Sequence, residues 1–255
     1  MSTQKHEIQT HDVSRAVLDS SPTLKHKRGT KGMEKPEEEF LRTGWRRFIQ
    51  FGFRLLYHEL AWSYDGVAWL VSLGQWRAWT QTALPYLVGT QVLELGHGPG
   101  HLLATLQQRG FYAVGLDPSP QMGRLADRRL RRAGLARALI QGQAQTLPLP
   151  DHSFDSIVAT FPTSYILAPT TLQEVMRVLR PGGRLVIVLG ARPQGQGCPS
   201  RVLGRGLRWL YAITGQGTAS IAAWATPMAQ AGLSVRQVET TMKGGRVSLL
   251  VARRP

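Results

Sequence analysis

The amino-acid sequence predicts an α/β fold in which a mostly parallel sheet carries helices on both faces and ends in a C-terminal antiparallel hairpin. Three observations lead to this prediction. Short apolar runs alternate with helical stretches after Gly89. The first two runs stop at Gly96 and Asp117, as strands do when a tight loop follows. Between them, residues 101–109 have the length and pattern of one helix, which completes a βαβ unit.

The same alternation continues along the chain. Ser119 and Pro120 supply an N-cap and a first helical residue, so a helix is predicted from there to about Arg132. A helix over 171–179 should end at the Pro-Gly-Gly sequence of residues 181–183. In chain order, the predicted strands cover 91–95, 113–116, 138–141, 156–159, 184–189, 234–240 and 246–252, and a last helix covers 221–231. The short turn between the last two strands makes them a hairpin.

Composition divides the chain into three parts. Residues 1–40 show no apolar periodicity and are rich in Ser, Thr, Lys, Glu and Pro, which predicts a flexible leader. Residues 41–87 carry aromatic and aliphatic residues at three- and four-residue steps, which predicts a helical N-terminal cap. Residues 88–255 form the predicted core. An insertion rich in Gly, Pro, Gln and Arg interrupts this core at about 191–219.

Charge and cysteine content limit the classes of protein and partner. Lys and Arg number 31 and Asp and Glu 16, a formal net charge of +15 that suits an anionic membrane, nucleic acid or an acidic substrate. A single cysteine, Cys198, excludes an internal disulfide framework and cysteine-rich metal sites. No stretch approaches the roughly 18 apolar residues of a membrane span, and residues 1–10 lack the apolar core of a signal peptide. We therefore expect a cytoplasmic protein.

The most informative stretch is Glu-Leu-Gly-His-Gly-Pro-Gly at residues 94–100, which follows the first predicted strand. Glycines at a strand-to-helix turn allow positive φ angles and leave no Cβ to block a ligand. Asp117 stands at the end of the second predicted strand, where a carboxylate can accept hydrogen bonds from both hydroxyls of a ribose. Together these residues predict a nucleotide site.

Spacing separates three kinds of nucleotide site. A dinucleotide fingerprint needs a further Gly or Ala where this chain has His101 or Leu103. A phosphate-binding P-loop needs Gly-Lys-Ser or Gly-Lys-Thr, which occurs nowhere in the chain. Glu94, shortly before the first glycine, would repel a pyrophosphate but suits a ligand with an ammonium group. S-adenosylmethionine carries an ammonium group, a sulfonium and a ribose, and it has no phosphate.

With further motifs, this stretch resembles the class I S-adenosylmethionine-dependent methyltransferases, and within them a subgroup similar to enzymes of ubiquinone and menaquinone biosynthesis. The likeness covers about residues 90–190. The matching motifs are Asp-Pro-Ser-Pro-Gln-Met at 117–122, Leu-Pro-Leu-Pro-Asp at 147–151, Ser-Phe-Asp at 153–155 and Glu-Val-Met-Arg-Val-Leu-Arg-Pro-Gly-Gly at 174–183. The resemblance implies a Rossmann-like sheet and S-adenosylmethionine as the cofactor.

The resemblance also implies which residues hold the cofactor. In this family the glycine loop passes beneath the methionine part, and the acid after the second strand binds the ribose. The residues at these positions are Glu94, Gly96, Gly98, Gly100 and Asp117. Pro118 and Met122 would flank the adenine. The family often has aspartate where this chain has Gln143, before Ala144, so an amide oxygen would receive the adenine amino group.

On the acceptor side the sequence offers weaker candidates for catalysis. Thr160, which is expected to be a cofactor-binding residue, begins a segment near the expected methyl group, and the catalytic candidate Tyr165 ends this segment. Tyr64 and His58 lie in the predicted cap, and Tyr64 with the residue after it is similar to a Tyr-Asp pair found before the core in quinone-type members. No metal ligands are expected. His97, between two glycines, is expected to be an exposed loop residue.

These inferences predict an S-adenosylmethionine-dependent methyltransferase that acts on a small, apolar acceptor such as a quinone precursor, a lipid or an aromatic metabolite. An RNA or protein methyltransferase and a non-catalytic cofactor-binding scaffold stay open as alternatives. The expected partner is a small-molecule substrate. The aromatic residues of the cap either cover a hydrophobic substrate or pack the helices onto the sheet, and a third alternative is peripheral contact of aromatic and basic residues 45–54 with an anionic membrane. The arginine run at 124–137 is either a solvated helix face or a surface for phosphate or anionic lipid. Nucleic acid is disfavoured because no RNA-binding module accompanies the core, and the sequence does not indicate the oligomeric state.

Overall fold

The computed structural model describes residues 8–12, 75–193, 221–242 and 245–255. Within them, the strands are β1 Ile8–Asp12, β2 Gln91–Leu95, β3 Tyr112–Asp117, β4 Leu139–Gln141, β5 Phe154–Thr160, β6 Leu179–Pro193, β7 Ser234–Met242 and β8 Gly245–Arg253. They form one sheet in the spatial order β1, β7, β8, β6, β5, β2, β3, β4. Strands β2 to β6 are parallel, and β8 pairs antiparallel with both β6 and β7. The predicted fold class is confirmed.

Five α-helices accompany the sheet in the described residues: α1 Trp76–Gln81, α2 His101–Gln108, α3 Pro120–Arg132, α4 Pro169–Val178 and α5 Ile221–Gln230. Short 3₁₀ helices cover Leu84–Tyr86 and Ser164–Leu167. The N-cap of α3 is the predicted one, because the Ser119 hydroxyl accepts a hydrogen bond from the Met122 backbone N–H at 3.3 Å. Helix α1 and the first 3₁₀ helix lie within the predicted helical cap.

Apolar residues cover both faces of the sheet. Successive side chains of a strand point to opposite faces, so β2 buries Val92 on one side and Leu93 on the other. Helices α1, α2 and α3 cover the first face with Trp79, Leu102, Leu103, Leu106 and Leu130. Helices α4 and α5 cover the second face with Leu172, Val175, Val178, Trp224 and Met228. Burial on both sides is the arrangement that a parallel sheet requires.

Strand β6 is longer than the sequence predicts. The chain enters the sheet at Leu179, directly after α4, and this residue pairs with Phe154. The Pro-Gly-Gly sequence at 181–183 lies inside the strand as an irregularity, with Gly182 at a φ of 77°. Residues 191–193, predicted to begin the insertion, continue β6 instead. The rest of the predicted insertion lies outside the described residues.

A further strand comes from the predicted leader. Residues Ile8–Asp12 pair antiparallel with β7, with Ile8 opposite Thr240 and Asp12 opposite Arg236. The prediction of a flexible leader is wrong for these five residues. Their sequence, Ile-Gln-Thr-His-Asp, is too short and too polar for its pattern to predict a strand. The strand forms by pairing with β7, which is distant in the chain. The other leader residues and residues 41–74 of the predicted cap lie outside the described residues.

The loop after β4 is fixed by one arginine. Arg177 of α4 donates hydrogen bonds to the carbonyl oxygens of Leu147 and Leu149, at 2.9 and 2.7 Å, and to the carboxylate of Glu174. Glu174 in turn accepts a bond from the Leu147 backbone N–H. The hydrogen bonds from Arg177 hold the pKa of Glu174 below its usual range. The motif residues in this region therefore position the chain that follows the site.

No helix in the described part of the chain is long and apolar enough to cross a membrane.

Gly115, in the middle of β3, gives a test of how tightly the first face is packed. A Cβ there would lie 2.8 Å from Leu103 Cδ2 and 2.9 Å from His97 Cδ2. We expect Gly115→Ala to lower the free energy of unfolding by about 1–3 kcal/mol, since both neighbours are buried in the packed interior. The matched control is Gly123→Ala inside α3, where a Cβ meets no atom within 4 Å and should raise stability by about 0.5–1 kcal/mol. Urea unfolding measures both, and a fully stable Gly115→Ala variant would contradict this packing.

Candidate functional site

The candidate site lies at the edge of the sheet where the parallel strands end. The loop that joins β2 to α2 contains Gly96, Gly98 and Gly100, with φ angles of 72°, 52° and 78°. These left-handed conformations favour glycine strongly over other residues. In open α/β sheets the crevice at the carboxyl ends of the strands is where ligands bind. The predicted glycine loop is therefore present, in the place and the conformation that a ligand site needs.

The three glycines meet different surroundings. A Cβ on Gly100 would lie 2.8 Å from the Cβ of Ala126, so α3 packs directly against the end of the loop. A Cβ on Gly96 would lie 3.0 Å from the hydroxyl of Tyr165. A Cβ on Gly98 would meet no atom within 4 Å. Packing thus restricts the outer two positions, whereas the middle one borders open space that a ligand could occupy.

Asp117, the last residue of β3, ties this loop to the neighbouring helix. One oxygen of its carboxylate accepts a hydrogen bond from the Gly98 N–H at 2.9 Å, and the other accepts one from the Ser119 N–H at 2.8 Å. The Gly96 N–H donates a hydrogen bond to the carbonyl oxygen of Leu116, the residue before Asp117, at 2.7 Å. The side chain is only 8% exposed. Asp117 therefore fixes the loop and the start of α3 in one geometry.

Glu94 lies beneath the loop and is 2% exposed. Its carboxyl group accepts a hydrogen bond from the backbone N–H of Leu103, near the beginning of α2. Its Oε2 atom is buried without a hydrogen-bond partner. Burial, and next the nearby charge of Asp117, raise the pKa of Glu94 well above its usual range. A buried polar atom without a partner is costly, so this carboxyl group is suited to a proton or to a ligand's hydrogen-bond donor.

His97 is buried, and the expectation of an exposed loop histidine is wrong. The residue is 4% exposed, and its ring lies against β3 at Gly115. Its Nδ1 is 2.6 Å from the carbonyl oxygen of Gly98, which can only accept, so Nδ1 carries the hydrogen. Burial lowers the pKa of His97, and the negative charge of Asp117 opposes that shift. The absence of a side chain at Gly115 makes room for this ring, but no local pattern links the two positions.

The residues predicted to surround an adenine lie next to Asp117. The Gly142 N–H donates to the Asp117 carbonyl at 3.2 Å, which brings the segment containing Gln143 and Ala144 to this part of the site. Pro118 and Gln143 are both exposed. Met122 and Ala144 are buried in the core. Of these four side chains, Pro118 and Gln143 have the surface to contact a ligand directly, and the other two support the site from within.

The structure describes Thr160, the remaining predicted cofactor-binding residue, and one of the three catalytic candidates, Tyr165. Thr160 ends β5 and is half-buried. Tyr165 lies in the 3₁₀ helix that follows, and its hydroxyl donates to the Leu95 carbonyl at 3.4 Å. The structure thus brings Tyr165 to the base of the glycine loop. The other two candidates, His58 and Tyr64, lie outside the described residues.

Three further residues reach this edge without having been predicted as site residues. Arg77, in the first turn of α1, contacts the ring Nδ1 of His101 through its Nε and Nη2 atoms, at 3.1 and 2.9 Å. The ring of Trp76, one residue earlier, lies 4.2 Å from the ring of Phe161, which follows β5. The helical pattern around α1 predicts a helix in the cap. These contacts join segments that are distant in the sequence, and sequence periodicity does not report such contacts.

The comparisons with known proteins agree with this geometry. A family model described as a methyltransferase domain matches residues 92–183, from the start of β2 into β6. Residues 92–183 of this chain therefore match a methyltransferase domain. Among curated relatives, a demethylmenaquinone methyltransferase of Clavibacter sepedonicus is 35% identical over 52% of this chain and 55% of its own length. One from Thermus thermophilus is 32% identical over 52% of this chain and 63% of its own length. The chain thus spans a little over half the length of these two relatives.

Solved structures resemble a larger share of the chain than the family model matches. A putative S-adenosylmethionine-dependent methyltransferase from Methanococcus maripaludis has a TM-score of 0.55, is 18% identical, and covers 76% of this chain and 93% of its own. A geranyl diphosphate methyltransferase, solved with geranyl diphosphate and sinefungin, has a TM-score of 0.53, is 19% identical, and covers 70% of this chain and 77% of its own. At such identities the likeness concerns the fold. The family model confirms the predicted methyltransferase domain over residues 92–183.

The buried carboxyl of Glu94 leads to a pH-dependent stability. For an acid whose pKa is raised by folding, the stabilisation is present below the pKa of the unfolded chain and is lost as pH rises through the folded pKa. Glu94→Gln removes the titration and keeps an oxygen that can accept from Leu103. We expect the stability of this variant relative to the parent protein to improve as pH rises above the ordinary pKa of a glutamate in the unfolded chain. Urea unfolding at a series of pH values measures it, with Glu239→Gln on β7, whose side chain is 27% exposed, as a control. A pH-independent difference would contradict the assignment.

Proposed function

We propose that this chain binds S-adenosylmethionine at the glycine loop and transfers its methyl group to a small, apolar acceptor. The observation that supports the cofactor most directly is the surroundings of Gly98. This residue has a left-handed backbone, borders open space and donates its N–H to Asp117. Beneath it lies the buried carboxyl group of Glu94. A ligand at this loop would meet two acids and no phosphate-binding motif.

The residues present fit the functional groups of this cofactor. The amino-acid ammonium and the sulfonium are cationic, and Glu94 and Asp117 make the region beneath the loop acidic. The unpartnered Oε2 of Glu94 adds a hydrogen-bond acceptor that nothing in the described protein uses. Each Asp117 oxygen accepts one backbone hydrogen bond and retains capacity for a ribose hydroxyl. Gln143 offers an amide oxygen for the adenine amino group.

When bound, the cofactor supplies an activated methyl group, so the protein contributes mainly alignment and exclusion of water. Asp117 and the loop would fix the donor side. Thr160, the last residue of the neighbouring strand β5, would lie near the methyl group of the cofactor, and Tyr165, after that strand, would face the acceptor. The first turn of α1 would close the opposite side through its contact with His101. The roles of His58 and Tyr64 in the cap remain predictions from the sequence.

The apolar character of the acceptor rests on two lines of support. The curated relatives from two organisms are named demethylmenaquinone methyltransferases, and this chain carries aromatic rings at the same edge as its glycine loop. The test is methyl transfer from labelled S-adenosylmethionine to reduced 1,4-naphthoquinone, a lipid extract and total RNA. We expect incorporation into the reduced quinone. Cofactor binding with incorporation only into RNA would reject the apolar acceptor, and an absence of cofactor binding would reject the methyltransferase activity itself.

One observation favours RNA as a second candidate acceptor. Arg124, Arg128 and Arg132 are exposed and follow one another at four-residue spacing along α3, so they lie on one side of the helix. The nearby acid, Asp127, is engaged by Arg131 and Arg137. Binding through phosphate contacts weakens steeply with added salt, whereas binding of an apolar acceptor does not. A salt series of turnover with the triple variant Arg124→Gln, Arg128→Gln and Arg132→Gln separates the two candidates.

Two glycines in similar conformations isolate the contribution of the loop to cofactor binding. Gly98 and Gly110 have φ angles of 52° and 86°, and a Cβ on either would meet no atom within 4 Å. We expect Gly98→Val to weaken S-adenosylmethionine binding by about tenfold or more, since the branched side chain occupies the space that the cofactor must enter. Gly110→Val bears a similar backbone strain at the far end of α2 and should bind normally. Calorimetric titration decides this, and equal losses in both variants would remove the loop assignment.

A further inference from the structure

At the edge of the sheet where the parallel strands end, the described side chains include a cluster of aromatic rings to which the proposed cofactor site gives no role. The rings of Trp76 and Phe161 lie 4.2 Å apart with an interplanar angle of 30°. Trp79, which is fully buried, meets the same Phe161 ring edge-on at 6.5 Å and 61°. The fully buried Trp79 therefore anchors a pair of rings that are themselves only half-buried.

Phe161 has a backbone conformation that phenylalanine seldom adopts. Its φ is 49°, one of two left-handed residues other than glycine among the described residues. Its N–H donates to the Val188 carbonyl at 2.8 Å, which fixes the turn at the end of β5. A bulky residue in this conformation is strained, and such strain is concentrated at ligand-binding and active sites. Glycine or asparagine would make the same turn at lower cost, so packing of the turn alone does not explain a phenylalanine here.

The pair lies beside the glycine loop, at the end of a neighbouring strand. Trp76 precedes Arg77, whose guanidinium contacts His101 immediately after the loop. On the other side, Phe161 precedes Tyr165, whose hydroxyl reaches the Leu95 carbonyl just before the loop. The two residues thus stand on segments that both reach the ends of the glycine loop. Aromatic faces at this position suit a flat, apolar ring, which gains from stacking as well as from burial.

We propose that Trp76 and Phe161 form the binding surface for the acceptor, and that the acceptor presents a planar aromatic ring to them. This inference rests on the proposed function and deepens it, because it selects aromatic metabolites and reduced quinones from the wider class of apolar acceptors. An acyl chain or another saturated acceptor gains no stacking from two aromatic faces. The role of the pair is binding and specificity, so its loss affects affinity for the acceptor and leaves affinity for the cofactor unchanged.

The test measures binding of two probes to the full chain by calorimetry, with S-adenosylhomocysteine saturating. The probes are 1,4-dihydroxynaphthalene and its saturated analogue, decahydronaphthalene-1,4-diol. We expect Trp76→Leu and Phe161→Leu to weaken binding of the aromatic probe by about tenfold or more, and Trp76→Phe to stay within about threefold of the parent protein. The saturated probe should bind weakly to all forms. The matched control is Tyr112→Leu, which removes a ring that is 69% exposed at the opposite end of β3 and should change nothing.

The outcomes are distinguishable. Normal affinity for the aromatic probe in folded Trp76→Leu and Phe161→Leu would overturn the inference. So would equal affinity of the parent protein for the two probes. If the leucine variants unfold or lose S-adenosylhomocysteine as well, and Trp76→Phe loses it too, the pair is structural and the inference also fails. Failure of the parent protein to bind S-adenosylhomocysteine would reject the proposed function, and only that outcome would do so.

Discussion

The carboxylate of Asp117 is the interaction on which the geometry of the site depends. Its two oxygens accept from Gly98 in the glycine loop and from Ser119 at the start of α3. A charged acceptor makes these bonds stronger than neutral ones. The position of the carboxylate follows from the sheet, because β3 pairs with β2 in a register that sets Leu116 opposite Leu95. Strand pairing thus fixes the side chain, and the side chain fixes the loop and the helix.

Beneath the loop, the same arrangement concentrates ionisable groups in a small buried volume. Glu94, His97 and Asp117 are all less than a tenth exposed. Their charges affect one another, because Asp117 raises the pKa of Glu94 and counters the loss of basicity that burial imposes on His97. A nearby cation stabilises the ionised form of two neighbouring carboxyl groups such as these. The buried carboxyl groups of Glu94 and Asp117 therefore favour a positively charged ligand, in addition to the hydrogen bonds that they can accept.

Sequence patterns predicted the parts of this protein that depend on neighbours in the chain. The strand ending at Leu95, the glycine turns and the Ser119 cap are local features, and all were confirmed. The features that were missed depend on distant partners. His97 is buried because Gly115 on the adjacent strand leaves room for its ring. Ile8–Asp12 is a strand because β7 offers a free edge, and the Trp76–Phe161 contact joins the cap to the end of β5.

The strand contributed by residues 8–12 also bears on how the molecule behaves in concentrated solution. A long strand at the border of a sheet presents a row of unpaired backbone groups to which another copy can add. Here β7, of nine residues, is covered by β1, and the opposite border of the described sheet is β4, of only three residues. Both borders are therefore short. By pairing with residues 236–240, the N-terminal strand therefore leaves less of the β7 edge open to another copy of the chain than β7 alone would present.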